Sequence, residues 1–170
     1  MVEAKLLSQI PLSGSIDELR FNATGNCTWV EFTDNSYNSW CGIFGHGVET
    51  GHSSVAINSV DQSFVISQGQ GYLIDINSRK LLHLTKNDWL ISVISVPNCD
   101  VFVACTDTKI YAYSSKGLLW VSERVSFDGI KLNSSDDHKV KGKVWNLEKW
   151  VGFSLKLDGW VYQSEFKCDW

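Results

Sequence analysis

No stretch of the 170-residue chain approaches the ~20 consecutive apolar residues that a membrane-spanning helix needs. The first residues, Met1-Val2-Glu3-Ala4-Lys5, lack the apolar core of a secretory signal. Runs of basic residues are also missing. The densest basic stretch, Lys139, Lys141 and Lys143, alternates with Val140, Gly142 and Val144, as in a strand with one wet face. With 15 Lys+Arg against 19 Asp+Glu, the net charge is −4. Such a surface is poorly suited to displacing counterions from phosphate, so neither nucleic acid nor a membrane is an expected partner. The cysteines, Cys27, Cys41, Cys99, Cys105 and Cys168, are odd in number and contain no CxxC pair. A secreted disulfide framework is denser and even. The expectation is a reduced, cytoplasmic protein whose cysteines act as small buried hydrophobes. On that reading, the glycosylation sequons at Asn22, Asn26 and Asn133 are chance matches.

The length suits a single domain, 1–170, able to bury roughly 70% of the surface its unfolded chain exposes without metal or disulfide. Hydrophobic residues make up 44% and charged residues 20%, which excludes disordered, collagen-like and coiled-coil chains. Ser15-Ile16-Asp17-Glu18 has the spacing of a capping box and predicts a short helix inside an N-terminal segment, 1–26. From residue 27 to 163 the pattern has period 2. Candidate strands run over 27–33, 38–44, 54–59, 63–67, 71–76, 81–84, 90–96, 101–105, 109–113, 118–121, 129–132, 139–145, 150–157 and 160–163. Turn residues separate them at intervals of roughly 8–12.

An internal repeat sharpens this pattern. Residues 61–83 align with 98–120, an offset of 37. Leu73-Ile74-Asp75-Ile76 then matches Ile110-Tyr111-Ala112-Tyr113, and Leu81-Leu82-His83 matches Leu118-Leu119-Trp120. A looser copy spans about Val140 to Tyr162. Meanders of this period are those of propeller blades, which repeat every ~40–45 residues. The expected fold class is therefore all-β: antiparallel meanders with room for three or four units, as an open propeller-like stack or two packed sheets. Trp29, Trp120, Trp145 and Trp150 fall within alternating strands and are expected in the core. Tyr37, Trp40 and Trp160 flank turns and are candidates for an exposed recognition surface.

A catalytic constellation is harder to find. The loop Gly42–His52, with His46 and His52, is the most catalytic-looking piece of the chain, but no G-x-S-x-G elbow accompanies it. His46 and His52 are six apart and fit no common zinc spacing, so no metal is expected. Gly69-Gln70-Gly71 lacks the third glycine and the helix of a phosphate cradle, so no cofactor is expected either. His83 stands where the repeat places Trp120, which argues for packing. The chain therefore reads as a non-enzyme, with a small hydrolase or ligand-binding protein using the Gly42–His52 loop as the alternative.

The C-terminal half carries a resemblance. Tyr111-Ala112-Tyr113, Gly117-Leu118-Leu119-Trp120, Ser126-Phe127-Asp128-Gly129-Ile130, the Gly-x-x-Trp step Gly142–Trp145 and Trp150-Val151-Gly152-Phe153-Ser154-Leu155 resemble small bacterial proteins. Some members of such sets resemble immunity proteins of contact-dependent growth inhibition (CDI). The resemblance implies a cytoplasmic monomer that forms a one-to-one complex with the toxin domain of its own system. It further implies a basic nuclease as that toxin, with its active site occluded. An acidic inhibitor would meet such a toxin with carboxylates and aromatics, and the expected toxin-binding residues are Asp34, Tyr37, Trp40, Asp107, Asp128, Asp136, Asp137 and Trp160.

Overall fold

The structure, a computed structural model, describes residues 1–12, 14–86 and 89–168. Sixteen strands form four sheets. Sheet 1 contains β1 (Glu3–Leu6), β2 (Asp17–Phe21), β3 (Cys27–Thr33) and β4 (Ser39–Gly45). Sheet 2 contains β5 (Ser53–Ile57), β6 (Gln62–Ser67), β7 (Gln70–Asp75) and β8 (Lys80–Leu84). Sheet 3 contains β9 (Ser92–Ser95), β10 (Phe102–Cys105), β11 (Ile110–Ser114) and β12 (Gly117–Val121). Sheet 4 contains β13 (Ile130–Ser135), β14 (Lys139–Trp145), β15 (Trp150–Lys156) and β16 (Val161–Ser164), with a 3-10 turn over Asp158–Trp160. All fourteen strands expected from the alternation are present. No helix among the described residues is long and apolar enough to cross a membrane.

Sheets 2, 3 and 4 are simple antiparallel meanders. Their first strands lie side by side, β5 against β9 and β9 against β13, and β1 packs on β5. No comparable strand packing joins β13 back to β1 among the described residues. The result is an open, propeller-like arc of four blades. The repeat is structural, with its alignment corrected in one strand: His83 and Trp120 keep the offset of 37 and occupy equivalent ladder positions, but the residues opposite them, Leu73 and Ala112, are 39 apart, because the β7–β8 turn, 76–79, is two residues longer than the β11–β12 turn, 115–116. β7 and β11 each carry a bulge against the following strand.

Each sheet interface is filled by alternating side chains. Val30, Phe32, Trp40 and Phe44 of sheet 1 meet Val65, Tyr72 and Ile74 of sheet 2. Phe64, Ile66 and Leu73 of sheet 2 meet Phe102, Ala104 and Tyr113 of sheet 3. Val103, Cys105 and Ile110 of sheet 3 meet Val140, Val144, Phe153 and Leu155 of sheet 4. Gly142 explains part of the Gly-x-x-Trp step: the Phe153 ring lies across it, and a Cβ there would run into the Lys131 carbonyl and that ring.

The N-terminal segment departs from expectation. Asp17–Phe21 is a strand, where the capping-box spacing predicted a helix. β2 lies on the outer edge of sheet 1, parallel to β4, which places Leu19 and Phe21 on the inward face beside Gly42 and Phe44. Phe21 stacks on Phe44, ring centroids 5.0 Å apart. The Ser15 hydroxyl donates to the Leu12 carbonyl, so it caps no helix. β1 is the inner edge of sheet 1 and β2 its outer edge. Cys41 and Ile43, on the face of β4 away from sheet 2, are fully buried.

All five cysteines are free. Burial raises the Cys105 thiol to about 12 and the Cys41 thiol to about 11, with nearby carboxylates adding to both. Native-state alkylation at about pH 8, read by mass spectrometry, should therefore leave Cys41 and Cys105 unmodified until the chain is unfolded. Phe64 is fully buried, with centroids 5.6 Å from Phe102 and 5.3 Å from Tyr113. Phe64→Ala should cost about 3–5 kcal/mol in denaturant titration without changing the slope.

Candidate functional site

Antiparallel strands send alternate turns to opposite ends of the arc, and the two rims differ in chemistry. One rim collects the turns 34–38, 58–61, 76–79, 96–101, 115–116, 136–138 and 157–160. Side-chain amides cross it from blade to blade. Asn35 donates to the Asp61 carboxylate, joining sheets 1 and 2. Asn58 donates to Asp100 at 3.5 Å, joining sheets 2 and 3. Asn98 donates to Asp137 at 2.9 Å, joining sheets 3 and 4. Asp100 also accepts from the Ser115 hydroxyl and backbone N–H. The same rim carries Asp17, Asp34, Asp75, Asp136 and Asp158. Arg79 and Lys116 are the Lys/Arg residues within its turns, while Lys80, Lys139 and Lys156 belong to the flanking strands. Arg79 pairs with Asp17 at 3.3 Å.

The local turns are built by short polar side chains that bond backbone N–H groups two to four residues on. Asp34 accepts from Ser36 N at 2.8 Å and Asn38 N at 2.9 Å. Asp136 accepts from His138 N and Lys139 N, each at 3.0 Å. The Asn38 N–H, then the other donors, hold the Asp34 carboxyl below its usual value of 3.8. The His138 and Lys139 N–H groups do the same for Asp136. The Asp34 turn sets Tyr37 in a left-handed conformation, φ 62°, with 81% of the residue exposed.

The structure sorts the expected binding residues into three groups. Asp34, Tyr37, Asp136, Asp137 and the Trp160 turn share the aspartate-rich rim. Asp107 and Asp128 are exposed on the opposite rim, where the Asp107 carbonyl accepts from Gly129 N. Trp40 is a correction: it is fully buried, stacks on Phe32 at 4.5 Å and donates from Nε1 to the Ile76 carbonyl. Its place beside a turn suggested exposure, but Trp40, Gly42 and Phe44 share the inward face of β4. Trp160 is half-buried, stacked on Trp120 with centroids 5.7 Å apart. The rim's Asn–Asp bridges went unforeseen, because their partners are 26 to 42 residues apart in sequence and meet only when the blades stack.

Of the expected Gly42–His52 loop, 42–45 belongs to strand β4, and the loop itself, 46–52, lies on the rim opposite Asp34. His46 Nδ1 is buried without a hydrogen-bond partner and sits 3.9 Å from Glu49 Oε1. His46 lines a cleft of about 530 Å³ with Cys27 and Ser53. The Ser53 hydroxyl pairs with Thr28 at 3.1 Å, so nothing here links a hydroxyl to the imidazole as a nucleophile would require. His52 is exposed. Among the described residues, no group of three or more His, Cys, Asp or Glu is placed to hold a metal.

No family model matches the chain, and neither does any curated protein. Among solved structures, the chain is similar to the WD40 domain of Neurospora crassa Pan2. The TM-score is 0.53 and the identity 10%, covering 81% of this chain and 47% of that one. The chain spans about half the length of that structure, and the likeness concerns the fold. It agrees with an arc of consecutive propeller blades.

The depressed carboxyls of Asp34 and Asp136 stabilise the folded state above the unfolded value. That contribution is lost as pH falls through the folded one. Replacement by Asn keeps an acceptor for the same N–H groups but removes the titration. The D34N/D136N double variant should therefore lose less in Tm than the parent between about pH 5 and pH 2.5, read by circular dichroism.

Proposed function

We propose that the protein is a non-enzymatic binding module whose aspartate-rich rim covers a basic protein partner. Following the resemblance of its C-terminal motifs, that partner is the toxin domain of its own contact-dependent growth inhibition system, neutralised by occlusion of its active site. The observation that supports this reading is Tyr37, an exposed aromatic held rigidly by the Asp34 turn, within a rim of carboxylates. Rigid aromatics make efficient contact anchors because little conformational freedom is lost on binding. Carboxylates around such an anchor steer a cationic partner and raise its association rate. The motif residues Gly142, Phe153 and Leu155 serve packing. On this reading the partner surface lies on the turns.

The test pairs this protein with the toxin domain encoded beside it, by gel filtration, calorimetry and stopped-flow. A tight one-to-one complex is expected. D136K/D137K should lower the association rate about tenfold or more and flatten its salt dependence, with a smaller effect on dissociation. Tyr37→Ala should raise the dissociation rate. Absence of binding at micromolar concentration overturns the reading.

A further inference from the structure

Blades splay apart toward their outer strands, and what fills each wedge depends on one repeat position. In sheet 3 that position is Trp120, whose indole lies nearly parallel to Trp160, 11° between planes, and closes the wedge toward sheet 4. In sheet 2 it is His83, opposite Leu73 as Trp120 is opposite Ala112. The smaller ring does not close the wedge toward sheet 3, and a cleft of about 850 Å³ is left. That size falls within the ~300–1,000 Å³ range of small-molecule sites. The backbone at Gly117 contributes to the shape: its φ is +104°, and a side chain there would meet the His83 ring at 3.2 Å.

The walls are aromatic and the mouths cationic. Tyr111 and Tyr113 lie nearly parallel on the sheet-3 side, 14° apart, and His83 faces Tyr113 at 6.1 Å between centroids. Leu118, 52% exposed, extends the apolar floor. Lys86 and Lys109 stand at the end where β8 finishes and the β10–β11 turn begins, with Trp89 and Asp107, and Lys116 stands at the other. Among the described lining residues, three ammonium groups stand against one carboxylate, on a chain whose net charge is −4. Flat π surfaces bounded by lysines suit a planar ring that carries an anion.

We propose that the cleft between sheets 2 and 3 is a binding site for a nucleoside phosphate, its base against Tyr111, which the almost fully buried Tyr113 backs, and its phosphate between Lys86 and Lys109. The site meets the aspartate rim at Lys116 alone among its lysines and does not depend on the function assigned to that rim. A phosphotyrosine side chain offers the same ring-and-phosphate chemistry in a smaller form, and the cleft has room for the larger ligand.

Calorimetry with ADP, GDP, CDP and UDP tests this, with the matching nucleosides, inorganic phosphate and phenyl phosphate as controls. At least one diphosphate should bind with a Kd below about 1 mM, and at least tenfold more tightly than its nucleoside, inorganic phosphate or phenyl phosphate. His83→Trp, which copies sheet 3, should weaken binding tenfold or more while Tm is maintained. Leu118→Asp, at an exposed position that packing does not require, should do the same if the first variant fails to fold. D136K/D137K, on the rim, should bind the nucleotide like the parent. Failure of all four diphosphates to bind at 1 mM overturns the assignment. So does phenyl phosphate binding as tightly as any of them, phosphate alone binding equally well, or full binding retained in both cleft variants.

Discussion

A four-stranded sheet with one apolar face cannot stand alone in water, and this chain solves the problem by stacking four of them. Sheets 2 and 3 are apolar on both faces, whereas sheets 1 and 4 need burial on only one. Three interfaces therefore hold the molecule together, each filled by rings and branched side chains from strands that alternate strictly in and out. The close approach at Gly42 and Gly142, where phenyl rings lie across the backbone of a central strand, is possible only without a Cβ. Overpacking at such points would separate the sheets by more than local relaxation can absorb.

Apolar stacking is non-directional and does not by itself fix how one blade sits on the next. The Asn–Asp bridges on one rim supply direction. Each spans consecutive sheets, and each pairs a turn-building residue with a carboxylate of the neighbour. A hydrogen bond to a charged acceptor contributes about 1.5–3 kcal/mol where shielded and less at an exposed rim. The larger effect is on angle: turns bridged in series hold the aspartates in one ordered surface. The wedges behave differently, since they open or close according to a single side chain, as Trp120 and His83 demonstrate.

The strands were legible because they obey two local rules at once, period 2 and turn chemistry at their ends. Cys27–Thr33 and Lys139–Trp145 match the alternation residue for residue. β1 and β2 escaped notice for physical reasons. β1 is four residues long, and β2 pairs in parallel across a crossover, a partnership with no local signature. The Ser15–Glu18 spacing carried a helix signal that tertiary pairing overrode. Trp40 was readable in principle, since the period that buries Phe44 also buries Trp40. The His83–Trp120 mismatch was visible in the repeat, but its meaning depends on Trp160, which is brought alongside Trp120 only by the stacking of sheet 4 on sheet 3.

An open stack of sheets has two ends, and each could in principle accept another sheet. At sheet 1, Cys41 and Ile43 on the outer face are buried. At sheet 4 the register places Lys131, Lys139, Lys141, Lys143 and Lys156 on the outer face, with Lys131 4.1 Å above the Trp150 ring. Seating a fifth blade there would strip water from several ammonium groups at once, at a cost of several kcal/mol per ion. The hydration of these lysines thus opposes the stacking of a further sheet on this face.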